Sequence, residues 1–292
     1  MTSTLNVALQ SSSREQRHRP DPLIIALWIS LAIAVLFWLA PFIFIVFTSL
    51  KTRPDLLMGS PFLPPQALAF GNYATAWERG NLAQYGLNSL VIALTKVPLG
   101  LLVSSLGAFA LTRMRFPLQK SLMMFILLGT MIPVQVALGP LFTMILKAGL
   151  LNTYLGILLP YIGFGVPYQI FLLRGFFNSI PRELDEAARI DGCSSFGVYY
   201  RVILPLALPG LAAVFILDFV GTWNEFAIAL VVLQSRSTWT IPLALQSFQG
   251  LYGNNYNLLT AAIVMSILPV VIVYLLFQRY FIAGLTSGAI KG

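Results

Sequence analysis

Apolar residues in this chain gather in six long runs, at about 23–48, 87–111, 121–146, 151–173, 206–232 and 258–282, with polar stretches between them. A hydrocarbon core of about 30 Å takes roughly 20 helical residues to cross, so each run is long enough to span a bilayer. The backbone has no water to bond in lipid, so each run is predicted to be helical. The third and fourth are separated by only a few residues around Lys147 and Gly149, which predicts a tight helical hairpin. Pro133 and Pro140 in the third run, with Pro160 and Pro167 in the fourth, predict kinks that turn freed carbonyls toward a cavity. The first run follows a basic stretch, as a secretory leader does. It is too long for one and no small-residue cleavage site follows, so it reads as a retained span. The fold class is an all-α membrane protein with six transmembrane helices.

The polar remainder divides simply. Residues 1–22 are rich in Ser, Arg and Gln and read as a disordered tail. Residues 23–283 form the membrane body, and 284–292 a second short tail. The outer connections, about 49–86 and 233–257, are long enough for small caps. Pro61, Pro64 and Pro65 break the first, and Asn254-Asn255 marks a turn in the second.

Composition confirms the solvent. Of 292 residues, 58% are hydrophobic and 10% charged, and the mean hydropathy is +0.82. A soluble domain carries about a quarter charged residues. The net charge of +8 comes with no basic patch interleaved with aromatics, so nucleic acid is not the partner. The charge instead reports orientation. With the N-terminus inside, the inner segments hold Arg14, Arg17, Arg19, Arg113, Arg115, Lys120, Arg174, Arg182, Arg189, Arg201, Arg279 and Lys291. The outer segments hold only Lys51, Arg53, Arg79, Lys147 and Arg236, so both termini are placed in the cytoplasm. A single cysteine, Cys193, rules out an intramolecular disulfide and offers no metal cluster, and the lone His18 sits in a polar tail. HExxH, GxSxG and GxxxxGK[ST] patterns are all missing, which argues against an enzyme and against ATP chemistry in this chain.

One polar insert, about 176–205 between the fourth and fifth runs, is structured rather than a plain loop. Ser179-Ile180-Pro181 predicts a helix start, with Ser as cap, Pro in the first turn, and Glu183, Asp185 and Glu186 near the positive helix end. Leu184, Ala187, Ala188 and Ile190 are predicted to form one apolar side. Gly192 stops the helix, Ser194 or Ser195 caps a second short one, and Leu204-Pro205 turns the chain into the fifth run. The Ala187-Ala188 pair leaves a small, shallow face that another protein can approach closely. A membrane-lying helix shows bulky apolar residues there instead.

The spacing Glu186-Ala187-Ala188, then Gly192, then Val202-x-Leu204-Pro205, resembles the signature loop of the membrane subunits of ATP-binding-cassette importers. The likeness covers most of the chain and is nearest to the smaller six-span partner in maltose-type sugar permeases. Further resembling elements are Asn72-Tyr73, Asn88-Ser89, Met131-Ile132-Pro133, Pro140-Leu141, Trp223-Asn224-Glu225-Phe226 and the tail from Gly284 to Gly292. Val202 stands where Ile is commoner. The resemblance implies a bacterial cytoplasmic (inner) membrane permease that moves a di- or oligosaccharide inward by alternating access. It implies four partners: a second permease subunit in a heterodimer, two ATPase subunits that bind ATP and Mg, and an extracytoplasmic solute-binding protein. No cofactor or metal is implied in this chain. Glu186, Ala187, Ala188, Arg189, Asp191, Gly192, Leu204 and Pro205 would form the ATPase-coupling element, and the tail 284–292 a second contact.

The fifth run also holds Asp218 and Glu225, seven residues apart and so on one helical face with Gly221, Thr222 and Ala229. A charged residue at a span centre costs about 3 kcal/mol on insertion scales, so this face must point to protein or to a wet cavity. Trp223, Asn224, Glu225, Gly221 and Thr222 are candidates for the sugar pathway. Pairing of the acids with Lys96 is the alternative, and Lys96 snorkelling outward is another. In the last outer loop, Trp239, Gln246, Phe248, Gln249, Tyr252, Asn254, Asn255 and Tyr256 suit either sugar stacking and docking of the binding protein or an interfacial aromatic belt. An ion-gradient-driven secondary transporter using Asp218 and Glu225 is the competing function; it calls for an internal repeat, which the chain does not show, and gives the Glu186 insert no role.

Overall fold

A computed structural model of the protein describes residues 22–60, 62–248 and 255–289. The expectations for residues 1–21, Pro61, Gln249, Tyr252, Asn254 and the last three residues lie outside this range. The described chain is helical and without strands. The chain divides into two compact units, one up to Ile45 and one from Val46. Residues 22–45 make up the first and belong to a single helix, α1 (Pro22–Ser49), which runs on through Pro41.

The second unit begins with the last turn of α1. After it come α2 (Arg53–Met58), α3 (Gly71–Arg79), α4 (Leu82–Arg113), α5 (Gln119–Thr130), α6 (Val134–Lys147) and α7 (Tyr154–Ser179). The insert holds α8 (Glu183–Ile190) and α9 (Ser195–Leu206). The chain ends with α10 (Leu208–Trp223), α11 (Ala227–Val232), α12 (Ile241–Gln246) and α13 (Tyr256–Ala289). The broadest interface joins α4 to α7, and α10 packs against α13 and α4. Gly210 permits the α10–α7 contact, since a Cβ there would lie 2.4 Å from the Phe176 ring.

Four helices are long and apolar enough to cross a membrane by themselves: α1, α4, α7 and α13. The other two predicted spans are broken. The third is α5 and α6, bent by 94°. Pro133 has no N–H to donate and disfavours helical backbone at the residue before it, so α5 stops and α6 restarts in a new direction. Pro133 thus interrupts the span where a kink was expected, while Pro140, Pro160 and Pro167 sit inside continuous helices. The fifth span turns by 75° at Ala207, two residues past the predicted Leu204-Pro205 turn, and breaks again after Trp223. Within α9, Tyr199–Ile203 is π-helical, with the Leu204 amide donating to the Tyr199 carbonyl. Pro205 offers no N–H to this stretch, which favours the wider turn. At the C-terminus the backbone stays helical to Ala289, so the predicted tail from Gly284 begins as part of α13.

The connections before α4 and after α11 are tied down by side-chain amides, half-buried at Asn72 and buried at Asn88. Asn72 donates to the Ser49 and Lys51 carbonyls at 2.8 and 2.9 Å and accepts from Asn257 at 3.1 Å. Asn88 donates to the Ser237 and Trp239 carbonyls, both at 2.9 Å, and accepts from the Tyr154 hydroxyl at 2.8 Å. Ser89 accepts from the Ile241 amide at 2.9 Å. Phe248 is buried, and Trp239 packs on Tyr85 with ring centres 6.0 Å apart, so these aromatics serve the core of the cap.

Asn88→Ala removes three hydrogen bonds from a buried side chain, two to loop carbonyls and one from the Tyr154 hydroxyl. It should lower stability by about 1–3 kcal/mol, read as a fall in the unfolding temperature of the detergent-purified protein; an unchanged temperature would contradict this account of the cap.

Candidate functional site

Two sites emerge, one between the spanning helices and one at the insert. The first is a cavity of about 230 Å³ lined by Lys96 of α4, Val134 of α6, Tyr161, Phe164 and Gly165 of α7, Asp218, Gly221 and Thr222 of α10, Glu225 and Ile228. Helix α10 ends at Trp223, so Asp218 and Glu225 do not share a helical face as predicted. Both nonetheless line the same cavity.

The break accounts for the position of Glu225. Its Oε1 accepts from the Ile228 amide at 2.8 Å, and its Oε2 accepts from the Ala229 amide at 3.1 Å and the Tyr161 hydroxyl at 2.5 Å. The carboxylate thereby satisfies the free N–H groups of the restarted helix and sits at its positive end. Lys96 is 3% exposed and paired with Asp218, so it does not snorkel outward. Asp218 Oδ2 has no hydrogen-bond partner among the described residues. Beside the pair, Ser104 donates to Gln169 Oε1 at 2.7 Å.

Of the five predicted pathway residues, Gly221, Thr222 and Glu225 line this cavity and two do not. Trp223 is buried on another side, where it stacks with Phe219 at 6.0 Å and donates to the Ser266 carbonyl at 3.1 Å. It lines a separate apolar cleft of about 540 Å³. Asn224 is exposed, and its amide folds back to the Val220 carbonyl at 2.9 Å. Tyr161 was missed; the one cue in the sequence was a phenol at mid-span.

The second site is the insert. Ser179 is the last residue of α7 and bonds backward to Phe176, so it does not cap α8, which starts at Glu183. Gly192 has φ +83°, the left-handed conformation that ends α8. Ser194 caps α9, accepting from the Gly197 amide at 3.2 Å. The side of α8 that packs inward is Asp185 and Ala188, whereas Leu184, Ala187 and Ile190 face outward with Phe196. The predicted apolar side is therefore split.

Three contacts fix this insert to the bundle. Asp185 pairs with Arg113 at 3.2 Å. Arg113 also donates to the Phe177 and Ile180 carbonyls, both at 2.7 Å. Tyr199 shares a 2.7 Å hydrogen bond with Ser105 and packs edge-on against Phe109. Burial pushes the Asp185 carboxyl above its usual range, and Arg113 is the chief opposing pull. Glu186, Arg189, Asp191, Gly192 and Pro205 are exposed, and Leu204 is half-buried. Among the described residues, no cluster of three or more His, Cys, Asp or Glu side chains could hold a metal.

The profile of the family described as binding-protein-dependent transport system inner membrane component matches residues 96–287. The arabinooligosaccharide transport system permease AraQ of Bacillus subtilis is 35% identical over 281 residues, 94% of this chain and 99% of that one. The sulfoquinovosyl glycerol transport system permease SmoH of Agrobacterium fabrum is 35% identical over 91% of this chain and 93% of its own. Among solved structures, a chain of a bacterial ABC transporter that imports the acidic polysaccharide alginate superposes with a TM-score of 0.78 at 27% identity. The match covers 89% of this chain and 96% of that one.

Lys96→Met leaves a buried carboxylate without its partner and should destabilise the protein by about 3–5 kcal/mol. Lys96→Met combined with Asp218→Leu should recover most of that loss in detergent thermal unfolding. Equal losses in the single and double variants would show that the pair is not what the bundle relies on.

Proposed function

The chain belongs to the family of binding-protein-dependent transport system inner membrane components, and from that premise we propose how its parts divide the work. It is the membrane-spanning permease subunit of an ATP-driven importer of saccharides, a transport component and not an enzyme. The carbohydrate assignment rests on relatives named for arabinooligosaccharides and a sulfosugar glycoside, and on the alginate importer. ATP and Mg are held by two separate ATPase subunits, and a second permease subunit closes the solute path. Both termini and the insert lie on the cytoplasmic side, the binding protein docks outside, and the C-terminal end from Gly284 meets the ATPase.

The observation that carries this reading is the division of α8 into a held side and a free side. Asp185 and Ala188 lock to the bundle through Arg113, while Leu184, Ala187 and Ile190 point away from it. An anchored helix with small and apolar residues facing outward suits a cleft in another protein, and a push on it passes into α4 through Arg113 and Ser105. In the cavity, Thr222 offers its hydroxyl to solute hydroxyls, and Glu225, already bonded to Tyr161 and two amides, presents its remaining lone pairs. The secondary-transport alternative is not favoured, since Asp218 is committed to Lys96 and Glu225 to Tyr161 and two backbone amides.

Glu186→Lys together with Gly192→Pro reverses a charge and forbids the positive φ that ends α8. ATPase should cease to co-purify, and sugar uptake by reconstituted vesicles should fall at least tenfold, with the bundle still folded by circular dichroism. Uptake that continues in vesicles free of any ATPase would overturn the reading.

A further inference from the structure

A second inner-end cavity, of about 500 Å³, lies where the end of α4, the start of α5 and the last turns of α7 converge. Its wall brings together Arg113, Arg115, Lys120, Arg174 and Arg182, with Asn178 as a neutral donor. Arg113 is neutralised by Asp185, and Arg182 donates to the Thr112 carbonyl at 3.1 Å. Arg115, Lys120 and Arg174 have no ion-pair partner among the described residues, and Arg174 is half-buried. Glu186 lines the adjoining cleft and not this one. An excess of cationic donors converging on a recess is matched by an anion with several acceptor oxygens, and guanidinium groups suit phosphate in particular.

The setting narrows the ligand. The recess sits at the inner ends of spanning helices, on the side that carries the surplus of basic residues. One turn away on α5, Leu122 and Phe125 are exposed and offer a path for acyl chains, with Met123 buried beneath them. Inner leaflets are rich in anionic phospholipid, and basic recesses between spanning helices hold such head groups. The volume admits a glycerophosphate unit. We infer that this cavity binds the phosphate of an anionic phospholipid head group, which ties the α4–α5 turn to the membrane surface beside the coupling insert. This site is independent of the sugar path and of the transport reading.

The test uses the assembled transporter in mild detergent and native mass spectrometry. Phosphatidylglycerol should be retained in preference to phosphatidylcholine. Lys120→Gln and Arg174→Gln should each weaken retention about fivefold and together roughly thirty-fold, while Arg174→Lys keeps most of it. Phosphatidylglycerol retention that is unchanged in the double variant overturns the inference. Displacement by millimolar inorganic phosphate also overturns it, in favour of a free anion. Loss of ATPase co-purification with lipid retention intact overturns it too, in favour of a protein partner. Should the double variant fail to assemble, each single glutamine variant serves on its own, with Arg174→Lys as the charge-preserving control.

Discussion

A helix interrupted inside a bilayer leaves backbone amides that water cannot reach, and something in the protein must accept from them. The Glu225 carboxylate does so here, closing the start of α11 through the Ile228 and Ala229 amides. Much else follows from that single constraint. The carboxylate needs the Tyr161 hydroxyl on α7 to share its charge, which brings α7 to the break. Once α10 ends at Trp223, Asp218 stands one turn back, and Lys96 must come from α4 to meet it. The cavity is the space that these requirements leave between the helices.

The insert end of the bundle obeys a related rule. At the end of α7, Arg113 of α4 covers the carbonyls of Phe177 and of Ile180 just beyond it. The same guanidinium takes up the carboxylate of α8. One residue therefore caps a spanning helix and fastens α8, which explains how a short element of two turns is held against fraying.

Much of this was legible in the chain. Hydropathy alone places the spans, because lipid leaves the backbone few choices. The left-handed stop at Gly192 follows from local chemistry and is present, as is the cap of α9 by Ser194. The misses share a cause. Ser179 was read as a cap from its neighbours, yet the α7 helix had a stronger claim on it through tertiary packing. Trp223 was grouped with Asn224 and Glu225 by adjacency, but a helix end rotates successive residues onto different sides. The pairing of Arg113 with Asp185 joins residues far apart in sequence, and no periodicity encodes it.

Helix α4 touches every region discussed. It meets the cap through Asn88 and Ser89, the cavity through Lys96, and the insert through Ser105 and Arg113. It runs 32 residues without interruption, passing Pro98 on the way, a length of about 48 Å at the helical rise. A tilt of roughly 5° about one end would carry the other about 4 Å, by simple lever geometry on that length. A tilt imposed at the Arg113 end of α4 thus arrives at the Asn88 end as a displacement wider than a water molecule, without any intermediate element having to bend.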